Sequence, residues 1–172
     1  LHRVIGMDYL IDKLVPQHLN QIKDIYIEGI NTGNATFEKR APGWEEWNQS
    51  HISSCRIVAR QDNLVLGWAA LSPVSMRRVY AGVGEVSIYI RVNHLGKGIG
   101  TNLLKKLIEL SEHNGFWTLQ ASVFPENKAS VRLHQNCGFR IIGTRIKIGK
   151  MANGNWRDVI LLERRSKVVG TK

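Results

Sequence analysis

Apolar positions recur every third or fourth residue in some stretches of this chain and every second residue in others, and the change of period separates helices from strands. "MDYLIDKLV" reads as a strand stopped by Pro16, and in "QHLNQIKDIYIEGI" Leu19, Ile22, Tyr26 and Ile30 fall on one helical face. "WEEWNQSHISS" predicts a short helix, and "RIVAR", a "QDN" turn and "LVLGWAALSPV" predict a hairpin. The β-branched, aromatic strand "EVSIYIRV" leads into an amphipathic helix at about 98–114. A strand "WTLQASVF", a helix at about 126–136, and the strands "GFRIIGTRIKIG" and "WRDVILLER" around an Asn153-Gly154 turn complete the chain. Two loops stand out, the polar "NTGNATFEKRAPG" and the basic, aromatic "MRRVYAGVG" at 76–84. Strands meander first and alternate with helices later, which implies an α/β fold around a mixed sheet.

A length of 172 residues suits one domain covering 1–172. "LHRVIG" ahead of Met7 reads as an alternative start or a non-native extension and is left out of the fold, and 166–172 form a basic tail. No apolar run approaches the roughly 20 residues that span a bilayer, so membrane insertion is not expected. Cys55 and Cys137 make neither a disulfide framework nor a metal-ligand pattern, so no metal is expected. No signal-peptide pattern is visible, and a reducing cytoplasm is the expected compartment. The net charge of +10 raises the question of a polyanionic partner. The cations are scattered, however, apart from the tail "ERRSKVVGTK", and no nucleic-acid motif is present. A nucleic-acid-binding module would show steeply salt-dependent binding to polyanions. A phosphate-rich small molecule accounts for the field as well.

The candidate chemistry begins at "HLGKGIGT". Gly96, Gly98 and Gly100 remove side chains where a strand turns into a helix, so main-chain N–H groups converge on an anion at the helix's positive end, with Lys97 adding charge. A dinucleotide fingerprint would need glycine where Thr101 stands, and Arg91 spoils a P-loop. Alone, the motif is equally a tight connection. Further on, "FPENKASVRLHQNCGFRIIG" puts Asn127, Ser130 and His134 near one another on the start and one face of a helix that ends at a glycine cap.

Together, "HLGKGIG" and "NKASVRLHQNCGF" resemble the GNAT N-acetyltransferase superfamily, with the pattern Gln/Arg-x-x-Gly-x-Gly/Ala followed by Asn-x-x-Ser-x-x-Leu-Tyr-x-x-x-Gly-Phe. Leu95 departs from the usual Arg or Gln, and His134 from the usual Tyr. "IYIEGINTGNATFEKRAP", "RRVYAGVGEVSIYI", the His134 of "LHQNCGF" and "GNWRDVILLER" narrow the resemblance to the phosphinothricin and methionine sulfoximine N-acetyltransferases, from Tyr9 to Arg164.

The resemblance implies a mostly antiparallel, twisted sheet of six to seven strands flanked by helices. It also implies acetyl-CoA as donor, the α-amine of a small amino-acid analogue as acceptor, and a homodimer. Ile88, Tyr89 and Ile90 would pair their backbone with the pantetheine arm. Gly96, Lys97, Gly98, Ile99, Gly100 and Thr101 would hold the pyrophosphate, and Asn127 would lie along the cofactor. Arg78, Val79 and Tyr80 would face the acceptor, and "GNATFE" matches the acceptor-side loop. Another amine, such as a protein N-terminus, a polyamine or an aminoglycoside, is the alternative, because acceptor choice resides in loops. The cations of "MRRVY" favour an acidic amino acid, with Arg77 and Arg78 either clamping its acidic group or solvated.

An α-amine is largely protonated at neutral pH and needs a base before it can attack a thioester. Glu85, opening the strand that carries the thioester arm, is the candidate, acting directly or through a water; the ordinary alternative is a strand-end carboxylate paired with an arginine. A strand N–H, that of Ile88 or its neighbour, freed by a bulge, would steady the thioester oxygen. His134 is the candidate donor of a proton to the departing CoA thiolate. Cys137 at a helix C-terminus is disfavoured as a thiolate and reads as structural. The five tryptophans read as core or dimer packing, and His51 and His94 as surface.

Overall fold

The computed structural model describes residues 2–3 and 8–171. Its elements are β1 (His2–Arg3), β2 (Leu10–Lys13), α1 (Leu19–Asn31), α2 (Trp44–Ser50), β3 (Arg56–Gln61), β4 (Leu64–Pro73), β5 (Val83–Ile90), α3 (Ile99–His113), β6 (Thr118–Val123), α4 (Lys128–Asn136), β7 (Arg140–Lys150) and β8 (Trp156–Arg165). The strands form one sheet in the order β1-β2-β3-β4-β5-β6-β8-β7, and only β5 and β6 run parallel. The mixed, mostly antiparallel sheet expected from the sequence is present. The extra strand is the two-residue β1, paired with β2 through His2↔Ile11 and Arg3↔Leu10, in the segment set aside above. The rest of that segment, residues 1 and 4–6, lies outside the described residues.

Each face of the sheet buries its own core. On one face α3 inserts Leu103, Leu104 and Leu107, each fully buried, against Ile57, Ala69, Leu71 and Leu119. Leu107 follows Leu104 by three positions and Leu103 by four, the separations that align one helical stripe, and each contributes about 1.5–3 kcal/mol by leaving water. On the other face α1 and α2 bury Ile22, Ile25 and Trp47 against Val58, Val65 and Trp68. Arg56 is buried without a carboxylate partner among the described residues; it donates to Asn48 Oδ1 at 2.6 Å and to the carbonyls of Asn48 and His51, while its guanidinium lies 5.2 Å from the Trp47 ring centre. A cation thereby satisfies acceptors at the C-terminal end of α2, where the helix dipole favours it. His51, expected on the surface, stacks on Trp47 at 4.2 Å.

The sheet opens at its parallel pair. β5 and β6 match only from Val83↔Thr118 to Glu85↔Gln120. Beyond that point β5 stays on β4 as far as Ile90, and β6 stays on β8 as far as Val123. The two strands therefore diverge into a fork. No register shift interrupts the β4–β5 pairing, so the gap arises from this divergence and not from the bulge expected in the strand.

Candidate active site

The fork is the wall of a cleft of about 570 Å³. Glu85 stands at its apex, in the last residue pair the two strands share. Its carboxylate takes part in no ion pair or hydrogen bond among the described residues, so the arginine-paired alternative is not what the fold builds. Main-chain direction along β5 follows from one contact: the Arg91 amide donates to the Leu66 carbonyl at 2.8 Å. Because main-chain groups alternate sides along a strand, odd residues of β5 face β4 and even residues face the fork. Ile88 and Ile90 thus direct N–H and C=O groups into the gap, where no residue of β6 pairs with them. Tyr89, grouped with them from the sequence, spends its main chain on β4 opposite Trp68 and contributes its ring to the cleft wall.

At the far end of β5 the chain makes a 3-10 turn over Val92–His94, tied to α1 because Glu28 accepts from Arg91 at 3.0 Å and from the Val92 amide at 2.7 Å. Gly96 and Gly98 then adopt φ of 74° and 76°, the left-handed region that costs an L residue roughly 1–2 kcal/mol. With Gly98 as the residue before α3, none of the amides of residues 96–101 donates a hydrogen bond among the described residues. Such free donors at a helix N-terminus fit a pyrophosphate. Lys97 is exposed beside them. Gly100 has a different reason: a Cβ there would lie 3.3 Å from Leu133 Cδ2, so it serves the packing of α3 on α4.

The third wall is the start of α4. Asn127 caps it, accepting from the Ser130 amide at 3.1 Å, and its Nδ2 donates to the Asn34 carbonyl at 3.1 Å. Asn127, Ser130 and His134, expected near one another from their spacing, all line the cleft. His134 is only 2% exposed. Its Nδ1 lies 2.8 Å from the Ser130 carbonyl, which can only accept, so Nδ1 carries the hydrogen and the buried Nε2 is a bare lone pair without a partner among the described residues. Burial lowers the His134 pKa and favours the neutral ring, outweighing the Ser130 contact that acts in the opposite direction. A proton for a departing thiolate would have to sit on Nε2 in the charged form that burial opposes, so the geometry speaks against the donor role.

Because the folded state depresses this pKa, the unfolded chain binds the extra proton first as pH falls below about 6.5, and stability is lost in that window. His18 and His51, also held neutral by burial, add to the loss. His134→Gln is expected to lose less stability than the parent protein between pH 7 and pH 5.5 in urea titrations; equal losses would contradict a buried neutral ring.

The loop over 32–43 closes the cleft from above, with Asn34, Ala35, Thr36 and Phe37 in its lining. Arg157 of β8, unnoticed in the sequence, fastens it: the guanidinium donates to the Gly33 carbonyl at 3.0 Å, Asn34 Oδ1 at 2.9 Å and Glu126 Oε2 at 2.8 Å, and lies 4.0 Å from the Phe124 ring centre. Phe37 meets Phe124 edge-on at 4.8 Å.

The proposed acceptor residues behave otherwise. Arg78, Val79 and Tyr80 form an exposed 3-10 turn, and neither they nor Arg77 line the cleft. Arg77 instead stacks over Tyr80, 5.5 Å from its centre. Cys137 is buried, its thiol pKa pushed up by that burial, and it also stays outside the cleft. Among the described residues, no group of three His, Cys, Asp or Glu could hold a metal ion, and no helix is long and apolar enough to cross a membrane.

Comparison with known proteins gives a consistent result. The family model described as "Acetyltransferase (GNAT) family" matches residues 19–139. The phosphinothricin N-acetyltransferase of Alcaligenes faecalis is 32% identical over 152 residues, 85% of this chain and 77% of that protein. The L-methionine sulfoximine/L-methionine sulfone acetyltransferase of Pseudomonas paraeruginosa is 33% identical over a shorter stretch, 58% of this chain and 57% of its own length. A GNAT superfamily phosphinothricin acetyltransferase from Sinorhizobium meliloti, solved in complex with acetyl-CoA, superposes with a TM-score of 0.85 at 28% identity, covering 96% of this chain and 92% of the other.

Proposed function

Since the chain belongs to the acetyltransferase (GNAT) family, we propose that it transfers the acetyl group of acetyl-CoA to the α-amine of a small amino-acid-like acceptor, by direct attack with both substrates bound. The observation that carries the assignment is a sequence of groups along one strand and out of it: a carboxylate unpaired among the described residues at the apex of the fork, then main-chain groups of Ile88 and Ile90 that can bind an amide-containing arm, then a free amide cradle at the helix start. Acetyl-CoA supplies the activated thioester. Residues 96–101 would hold its pyrophosphate, Ile88 and Ile90 the amides of its pantetheine arm, and Asn127 would border it. Glu85 would take the proton that keeps the acceptor amine from attacking, directly or through a water. The Ile88 N–H, turned into the gap, is a donor for the thioester oxygen as its charge grows. Holding amine and thioester side by side supplies much of the remaining rate.

The relatives named for phosphinothricin and methionine sulfoximine support an amino-acid acceptor, whereas the arginines of the 77–78 turn do not line the cleft. A homodimer is part of the proposal, supported by the exposed Ile141, Ile142, Ile146, Ile148 and Trp156 along the β7–β8 edge, and a sedimentation mass near twice 19.5 kDa would agree. The free thiols Cys55 and Cys137 suit a reducing cytoplasm. The test is CoA-thiol release from acetyl-CoA with α-amino acids, spermidine and a short peptide as acceptors. Turnover with amino acids is expected; turnover with spermidine or peptide alone would overturn the acceptor assignment.

A further inference from the structure

A second chamber, of about 310 Å³, opens from the same face of β5. It meets the cleft at Ser72, Ser87 and Tyr89, which line both, and Ser72 is the register partner of Glu85. Glu85, Ser87 and Tyr89 alternate onto one face of the strand, so the chamber lies beside the carboxylate. Its inner wall is aromatic: Tyr89 stacks on Trp68 at 5.1 Å, Tyr26 meets Tyr89 edge-on at 4.8 Å, and Trp47 meets Trp68 edge-on at 5.7 Å. Charges stand among its lining as two of each sign, Lys23 and Arg40 against Glu38 and Glu46, and Arg40 is already spent on Glu46 at 3.3 Å. Arg77 and Arg78 do not line it.

Resting on the acceptor assignment above, we propose that this chamber receives the acceptor's side chain and selects α-amino acids whose side chains are neutral and apolar or aromatic, against those carrying an anion. An apolar or aromatic group leaves water for ring faces and edges that complement it. An anion such as a phosphinate would lose its hydration and meet the negative faces of the rings, and Lys23, the one cation of the lining outside an ion pair among the described residues, is offset by the equally unpaired Glu38.

The test measures kcat/KM by CoA-thiol release with L-methionine sulfone, L-phenylalanine and L-phosphinothricin at saturating acetyl-CoA. The two neutral acceptors are expected to exceed phosphinothricin by at least about tenfold, the order of discrimination a shaped apolar pocket provides. Ala41→Trp, a loop substitution that fills the chamber, is expected to raise KM for both neutral acceptors while leaving KM for acetyl-CoA in place. If phosphinothricin matches or exceeds the neutral acceptors, or Ala41→Trp leaves their KM unchanged, the chamber's role is overturned while the acetyltransferase assignment stands. If no α-amino acid is acetylated, both fall together.

Discussion

Glu85→Gln is expected to lower kcat by about 10²- to 10³-fold at neutral pH, within the range that a positioned base contributes. Glutamine keeps the shape of the side chain and cannot accept the ammonium proton. The carboxylate makes no ion pair or hydrogen bond among the described residues, so its loss should leave the fold and the affinity for CoA intact. A thousandfold loss corresponds to about 4 kcal/mol of transition-state stabilisation. Raising the pH should restore part of the variant's rate, because more acceptor then arrives as free amine. A variant that keeps more than half the parental kcat at pH 7 would remove Glu85 from the mechanism.

Gly98→Val is expected to raise KM for acetyl-CoA about 10- to 100-fold while changing kcat at saturation far less, the pattern of lost uniform binding. A β-branched residue is strained at a φ of 76°, and relaxing that strain turns the neighbouring amides away from the anion they would share. Gly115→Ala provides the control. Gly115 has a φ of 81° with nothing within 4 Å of an added Cβ, and it lies at the opposite end of α3. Both variants should lose about 1–2 kcal/mol of stability. Only Gly98→Val should lose acetyl-CoA, and equal effects of the two on KM would reduce the glycine turn to a stability element.

What the sequence disclosed was mostly local chemistry. Gly96 and Gly98 are legible because a left-handed backbone is a property of single residues, and Asn127, Ser130 and His134 because a helix converts spacing directly into proximity. Gly100 sits in the same motif yet answers to Leu133, a neighbour no local pattern reveals. The parity that spends Tyr89's main chain on β4 depends on which side β4 occupies, so the run Ile88, Tyr89, Ile90 could not be divided in advance. Arg157 reaches Gly33 across 124 positions of sequence, and the aromatic chamber joins α1, α2, β4 and β5. Contacts of that kind exist only after the sheet has formed. The 77–78 arginines illustrate the converse: charge suggests a ligand, but their turn is exposed and lies outside the cleft lining. His51 likewise reads as a surface residue until α2 closes it onto Trp47.

The whole account depends on a diphosphate lying against the bare amides at the start of α3. An amide-resolved NMR titration with CoA tests this most directly. The amide resonances of residues 96–101 should move most, together with Ile88 and Ile90 along the fork, and residues of the β7–β8 edge should stay in place. Saturable shifts confined to another surface, with residues 96–101 unmoved, would contradict it.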